Sequence, residues 1–439
     1  MTLTELYSWL SSFINVERGL GGGPSPAAEE HFKLDRIKLL ANMARHPELS
    51  SPVIHVAGSK GKGSVTAMAA AILENAGIKT ARYMSPHVSD WRERISRGDG
   101  SFFPDAVYIK AGEELQEIYH TYRKSQDSLQ TNIQQGSCPG EPTFFELMTM
   151  LFFLCARLEN CEAMVVETGL GGRLDATNIV DSAVSVITVI EKEHTEYLGN
   201  TLAEIAGEKA GIIKKNKPVV SAKQEAEVLE VLRQKALELN APFSPITDSL
   251  AIPGMQLQGA VYTYNAALAV KAVQLAFHGI GRADMEKSLR GLTLPARFEK
   301  LPIEPPFIID GAHTPLSVRH CIETFSGLYG NKGILLFGCA ADKEAAAMAE
   351  ILIPHFSHCI VTGIGNFRAN DPGAVYAAFC SAGKNDKAAN KPVSSNALLS
   401  YIPDTATAIN EIIKLSKEKK LPVLACGSFY LAAAIRKQL

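Results

Sequence analysis

The apolar run Val53-Ile-His-Val-Ala57 opens directly into Gly58-Ser-Lys-Gly-Lys-Gly-Ser64, and behind that loop Val65, Met68, Ala69, Ile72 and Leu73 recur at helical spacing until Gly77. The order is strand, glycine loop, helix. In such a corner the backbone N–H groups point inward and the helix N-terminus adds partial positive charge, so the corner suits a polyphosphate. Lys62 is placed to reach outer phosphates, and Ser64 to sit beside a metal ion. The spacing departs from G-x-x-x-x-G-K-[ST], because Val56 holds the first position and Gly63 stands between Lys62 and Ser64.

Glycine corners of this kind also serve as nothing more than tight packing turns. Packing does not call for a cation between two glycines at a helix start. Gly58, Ser59, Lys60, Gly61, Lys62, Gly63 and Ser64 are therefore read as an ATP site.

The alternation continues on both sides of the loop. Residues 3–17 and 29–45 have helical patterns and flank a glycine–proline loop at 19–26. Thr80-Ala-Arg-Tyr-Met84 reads as a strand running into Ser85-Pro-His87, residues 105–121 as a helix, 122–142 as a polar surface loop and 143–158 as a helix. Ala163–Val166 is a buried-type strand ending in Glu167. Ala183–Ile190 is another, followed by His194 and a helix around 201–213. A strand near 218–220 and helices at 224–239 and 263–279 complete this half. After Thr293-Leu-Pro-Ala-Arg-Phe-Glu299 comes a link with Pro302, Pro305 and Pro306. New strands then follow at 307–310, 333–337, 358–361 and 422–426.

Strands alternating with helices imply mostly parallel sheets covered on both faces. The expected fold is α/β in two domains: residues 1–295 with the phosphate loop, and a smaller Rossmann-like domain over 296–439, hinged near 292–300. Ligands of such sheets bind at the carboxyl ends of the strands. Ser85, Glu167, His194, Asp310 and Gly427-Ser428 all follow strands, so they are expected to converge on one cleft between the domains.

Bulk properties narrow the class. The 439 residues exceed one ordinary core, and two to three domains are expected. A formal net charge of −2 provides no basic field for nucleic acid or an anionic membrane. Eight cysteines without a C-x-x-C pair suggest reduced thiols in a cytosolic protein rather than a disulfide frame or a zinc site. The first residues lack the basic segment and apolar core of a signal peptide. No apolar stretch approaches the roughly 20 residues of a membrane span.

Taken in order, the motifs resemble one family. They are Gly58–Ser64, Met84-Ser-Pro-His87, Glu167-Thr-Gly-Leu-Gly-Gly-Arg-Leu-Asp-Ala-Thr-Asn178, His194-Thr-Glu-Tyr-Leu-Gly199, Glu208-Lys-Ala-Gly-Ile212 and Asp310-Gly-Ala-His313. The resemblance is to the folylpolyglutamate synthase / dihydrofolate synthase family, a branch of the Mur-type amide ligases, and it covers the chain from about residue 30 to the end. The stretch 167–178 carries most of its specificity. The resemblance implies an ATP-binding domain of the Mur ligase central type followed by a glutamate-ligase domain. The implied reaction joins L-glutamate to a dihydropteroate or reduced folate carboxylate through an acyl phosphate. It also implies a cytoplasmic monomer with no nucleic-acid or membrane partner.

Residue by residue, the resemblance implies Ser85, Glu167 and His194 as ligands of one or two magnesium ions. Lys209 matches a lysine that is carbamylated by CO2 and helps hold the second metal. Asn265, Arg297 and Asp310 match ATP contacts. Val261-Tyr262 stands where the family usually has His-Gln, and Thr314 where it often has Asn. Thr143, Phe144, Phe145 and Glu146 with Leu174, Asp175 and Ala176 match the pterin site, where the two aromatics can stack on a flat ring. His313 and Ser428 match contacts to glutamate, and Lys62, Lys209 and His313 are the implied catalytic set. For each there is a plainer alternative. Glu167 can be an ion-paired strand end, Lys209 a surface lysine, Phe144 and Phe145 core residues, and Ser428 an N-cap.

Two other functions compete. A muropeptide ligase of the same superfamily would be revealed by binding of a UDP-sugar. A non-catalytic phosphate-loop module would not need Lys62, Glu167, His194 and Lys209 together.

Overall fold

The computed structural model describes residues 1–15, 33–131, 140–365, 369–385 and 397–439. The glycine–proline loop at 19–26, the start of the helix expected at 29–45 and residues 132–139 of the expected polar loop lie outside the described residues. The chain divides into two compact units. One is Met1–Met255 with Tyr262–Leu292, and the other is Gln256–Val261 with Thr293–Leu439.

In the first unit the short apolar runs become β1 (Val53–Ala57), β2 (Thr80–Tyr83), β3 (Ile95–Arg97), β4 (Ala163–Glu167), β5 (Val184–Ile187), β6 (Val219–Ser221) and β7 (Phe243–Pro245). Their order is β3-β2-β4-β1-β5-β6-β7, parallel throughout except for β3, which runs antiparallel to β2. Every residue of β1 and β4 is buried, as strands of a parallel sheet covered on both faces require. From β1 the chain crosses past β4 to β2, and from β4 it crosses past β1 to β5. The direction of winding therefore reverses beside β1, the place where open α/β sheets bind ligands. The register pairs Val56 with Glu167, so the glycine loop and Glu167 leave the sheet at one level.

Val53, Ala81, Tyr83, Met164 and Val166 share a core with the helices Leu3–Ser11, Asp35–Met43, Asp105–Thr131 and Phe144–Leu158. The helix Lys62–Asn75 packs on β1, β2 and β4 and is buried from Gly63 to Leu73. The helix expected at 105–121 runs on to Thr131, through residues whose polar composition suggested a loop. Its apolar face persists, because Tyr119 and Tyr122 are buried. Their hydroxyls donate to Glu141 Oε2 (2.8 Å) and Gly140 O (2.5 Å).

Thr143 and Glu146 form a capping box at the start of Phe144–Leu158. Thr143 Oγ1 accepts from Glu146 N (3.2 Å), and Thr143 N donates to Glu146 Oε2 (2.7 Å). Arg36 Nε lies 3.0 Å from both Glu146 oxygens, with each side chain 4% exposed. Burial pushes the Glu146 carboxyl up, against the pull of Arg36 and of the Thr143 N–H.

The second unit holds β8 (Glu299–Leu301), β9 (Phe307–Ile309), β10 (Gly333–Phe337), β11 (Phe356–Val361), β12 (Leu398–Tyr401) and β13 (Val423–Cys426), ordered β12-β11-β10-β13-β9-β8. Only β8 is antiparallel to its neighbour. Asp310 N donates to Ala425 O (2.9 Å) and Gly427 N to Ala312 O (2.8 Å), which lays the loop after β9 beside the loop after β13. Among the described residues no helix is long and apolar enough to cross a membrane.

The Arg36–Glu146 pair gives a stability test. Glu146→Ala removes a buried carboxylate that Arg36 contacts through both oxygens and is expected to cost about 3–5 kcal/mol in urea unfolding, whereas an apolar replacement of both partners costs much less. Equal losses for the single and double variants would overturn this.

Candidate active site

Gly58 leaves β1 with φ 147°, and a β-carbon on it would lie 1.8 Å from Thr188 Oγ1 at the end of β5. The loop is then fastened to the segment after β5. Ser59 N and Lys60 N donate to Val189 O (2.8 and 3.2 Å), and Ser59 Oγ exchanges hydrogen bonds with Glu191 O (3.1 Å) and Glu191 N (3.0 Å). Gly61, at φ 90°, caps the helix Lys62–Asn75 without a side-chain hydrogen bond, which leaves the first-turn N–H groups for an anion. A β-carbon at Gly63 would meet Met84 Cε at 3.2 Å and Glu167 Oε2 at 3.3 Å.

Two ammonium groups meet at one oxygen. Lys62 Nζ donates to Gly58 O at 3.1 Å, and Lys209 Nζ donates to the same carbonyl at 2.9 Å. Lys209 is 1% exposed and also reaches Glu193 Oε1 at 3.2 Å. Burial, with repulsion from Lys62, lowers the Lys209 amine to about 8. Burial alone would raise the Glu193 carboxyl, but Lys62, Lys209, Lys60 and His194 together hold it below the usual range. Glu193 is thus the counterion of the loop, with Lys60 at 3.9 Å.

Glu167 is 4% exposed, and its Oε2 accepts from Ser85 N at 3.1 Å. His194 follows Glu193 at φ 48° and opens the short helix Thr195–Leu198. The described residues contain no group of three or more His, Cys, Asp and Glu suited to a metal ion, so an all-protein cage is not the relevant form. Magnesium instead takes one or two carboxylates and completes its shell with water and phosphate oxygens. A single buried carboxylate against the phosphate loop fits that donor set. Asn265 also fits a nucleotide. It is 4% exposed, Gly61 packs against its amide, and its Nδ2 has no hydrogen-bond partner among the described residues.

The expected pterin residues divide. Thr143 and Glu146 are occupied by the capping box and by Arg36, as described above. Phe144 is 1% exposed, with Tyr7 edge-on at 6.4 Å and Arg94 over its ring at 5.5 Å. These three residues are thus buried and engaged within the unit, which fits the plainer core reading of Phe144. Phe145 is half-buried and lies against the loop after β4, where a β-carbon at Gly169 would come within 2.6 Å of its ring. Asp175 caps the turn Ala176–Ile179. Its Oδ1 accepts from Thr177 N (3.0 Å) and its Oδ2 from Leu170 N (2.9 Å), and burial raises its carboxyl despite these bonds. Leu174 is half-buried and Ala176 buried in the same loop.

In the second unit, Asp310 accepts from Phe298 N and Ala312 N, each at 2.7 Å. Burial raises its carboxyl, and Arg297 opposes the rise. The Arg297 guanidinium lies 4.2 Å over the Phe429 ring. His313 Nδ1 contacts Gly311 O at 2.7 Å, and Ser428 Oγ accepts from Tyr430 N at 3.0 Å as the cap of the last helix. Sequence reasoning missed Thr188, Glu193 and Phe429. Glu193 carries a signal in its place directly before His194, while Lys60, Lys62 and Lys209 meet it only through the fold. Thr188 and Phe429 carry none.

Residues 296–429 match the family model described as "Mur ligase, glutamate ligase domain", which sets the second unit among the Mur-type ligases. The chain is 33% identical over 437 residues to the dihydrofolate synthase/folylpolyglutamate synthase of Bacillus subtilis, covering 92% of this chain and 94% of the relative. It is 30% identical over 380 residues to the enzyme of the same name from Mycobacterium tuberculosis, covering 78% and 76%. A solved folylpolyglutamate synthase from Mycobacterium tuberculosis, complexed with ADP and AMPPCP, superposes with a TM-score of 0.80 at 26% identity, covering 93% of this chain and 96% of that one. The chain belongs to the dihydrofolate synthase/folylpolyglutamate synthase family.

Gly58→Ala tests the loop. Overpacking on Thr188 and a disfavoured φ are expected to destabilise by about 2–4 kcal/mol, read as a lower denaturation midpoint. Adding Thr188→Ala is expected to restore part of the loss. An unchanged midpoint in Gly58→Ala would contradict the packing described.

Proposed function

We propose that this chain is an ATP-dependent ligase that joins L-glutamate to the carboxylate of dihydropteroate or of a reduced folate. The observation that carries the reading is the lysine-bearing glycine loop level with the buried Glu167 carboxylate, in a chain of this family. The nucleotide named with the tuberculosis relative supports ATP here. In the first step a substrate carboxylate oxygen attacks the γ-phosphorus, the bond to the β–γ bridging oxygen breaks, and ADP leaves. In the second, the α-amine of glutamate attacks the acyl carbon. Phosphate departs with the bonding pair, the amine gives up a proton, and an amide remains. Neither step requires a protein nucleophile, since positioning and charge neutralisation suffice.

We assign the residues the following roles. Residues 58–64 cradle the phosphates, and Lys62 exchanges Gly58 O for an outer phosphate oxygen. Asn265 gives its orphaned amide to the nucleotide, Arg297 binds phosphate and Asp310 takes a ribose hydroxyl. Ser85, Glu167 and His194 would hold magnesium, which when bound draws charge from the phosphate oxygens. The lowered Lys209 amine makes the neutral form that reacts with CO2 more accessible than for an ordinary lysine. A carbamate there would face Glu193 and the Gly58 carbonyl, so it would need a cation between them. Phe145, Leu174, Asp175 and Ala176 border the pterin, and His313 and Ser428 take glutamate. The seven described cysteines are free, which supports action in the reducing cytoplasm. We place the enzyme there as a monomer.

The decisive assay is phosphate release with ATP, magnesium and L-glutamate, comparing dihydropteroate with tetrahydrofolate. Glutamate-dependent turnover with at least one is expected, and none with either refutes the reading. Lys62→Ala is expected to lower that turnover about 10²–10³-fold while the denaturation midpoint stays put. For the carbamate, removal of CO2 is expected to depress activity and bicarbonate to restore it. Labelled bicarbonate is expected to appear at Lys209 by magnetic resonance. A fully active protein without that label removes the carbamate from the scheme.

A further inference from the structure

Arg297 sits on a turn that is held open against its own backbone preferences. Its neighbours Ala296 and Phe298 both have left-handed conformations, φ 52° and 46°, which residues with a β-carbon adopt only when their surroundings impose it. Here the surroundings do so from every side. Ala296 N donates to Glu299 Oε2 (2.8 Å), Gly311 N donates to Ala296 O (2.9 Å), and Phe298 N donates to Asp310 Oδ2 (2.7 Å). Glu299 is itself gripped by Arg436 from the last helix.

The side chain on this turn lies over an aromatic ring, with Arg297 Cζ 4.2 Å from the centre of Phe429. The ring is equally fixed. It starts the last helix directly after the cap Ser428, and a β-carbon at Gly311 would fall 2.2 Å from it. His313 meets it at 5.9 Å with the rings inclined at 64°.

The manner of holding matters. A carboxylate that anchored the guanidinium would occupy the N–H fork that recognises phosphate. An aromatic face anchors the same group through its π cloud, and although Arg297 Nη1 donates to Ala296 O at 3.3 Å, the face itself takes up none of the remaining in-plane donors. We infer that Phe429 is a positioning residue that presents the Arg297 guanidinium, by cation–π stacking, to the polyphosphate of the nucleotide. The inference rests on the proposed reading of Arg297 as a nucleotide contact. It adds a residue that touches no substrate itself.

The test is a double-mutant cycle on the full chain, with variants Arg297→Ala, Phe429→Leu and the pair. Binding of a non-hydrolysable ATP analogue is measured by calorimetry, and KM by phosphate release. Phe429→Leu keeps apolar bulk and removes the ring. It is expected to weaken nucleotide binding about five- to thirtyfold and to raise KM for ATP in parallel, by more than it raises KM for L-glutamate. In the Arg297→Ala background the same change is expected to do nothing further to nucleotide affinity. Should Phe429→Leu fail to fold, Phe429→Met carries the same expectation. Unchanged affinity in Phe429→Leu, or losses that multiply in the double variant, would overturn the positioning role while leaving Arg297 in place. Unchanged affinity in Arg297→Ala would instead remove the reading beneath it.

Discussion

The first unit's site depends on one backbone oxygen. Gly58 O receives both Lys62 and Lys209, so two like charges are brought together, Lys209 buried and Lys62 half-buried. Such an arrangement is unfavourable by itself, as the lowered Lys209 amine records. It persists because Glu193 supplies the opposing charge and because Gly58 has no side chain to keep Thr188 from closing on it. The loop is thus a concentration of positive charge held against the Glu193 carboxylate. A polyphosphate bound there would meet ammonium groups already held in place, one buried and two half-buried, and such preorganisation is what phosphoryl transfer asks of a protein.

The parallel sheet makes the poise possible. Pairing of Val56 with Glu167 fixes the acid level with the start of the loop. The bonds from Ser59 N and Lys60 N to Val189 O fix the loop to the far neighbour, β5. Three strand ends therefore hold the phosphate corner, and none of them can shift without breaking a ladder that is buried on both faces.

Much of this was legible in the sequence, for reasons that can be named. Near-continuous apolar runs such as 53–57 and 163–166 mark central parallel strands, and the glycines at 58 and 61 mark backbone that only glycine enters cheaply. The elements that escaped were those whose partners supply the signal. β8 and β12 are edge strands, one carrying Glu299 and Lys300 and the other exposing Leu398 and Tyr401, so neither shows a buried pattern. Thr143-Phe-Phe-Glu146 is a capping box that the spacing alone could have revealed, but Arg36 lies 110 residues away and no local rule finds it. The stack of Arg297 on Phe429 is equally remote in the chain, and so was invisible until the fold joined them.

Gly169 has a mechanical consequence. The Phe145 ring rests directly on backbone there, two residues from Glu167. A bare peptide transmits a push that a compliant side chain would absorb. With no side chain between ring and peptide at Gly169, a shift of the ring toward the backbone bears directly on a segment two residues from the acid.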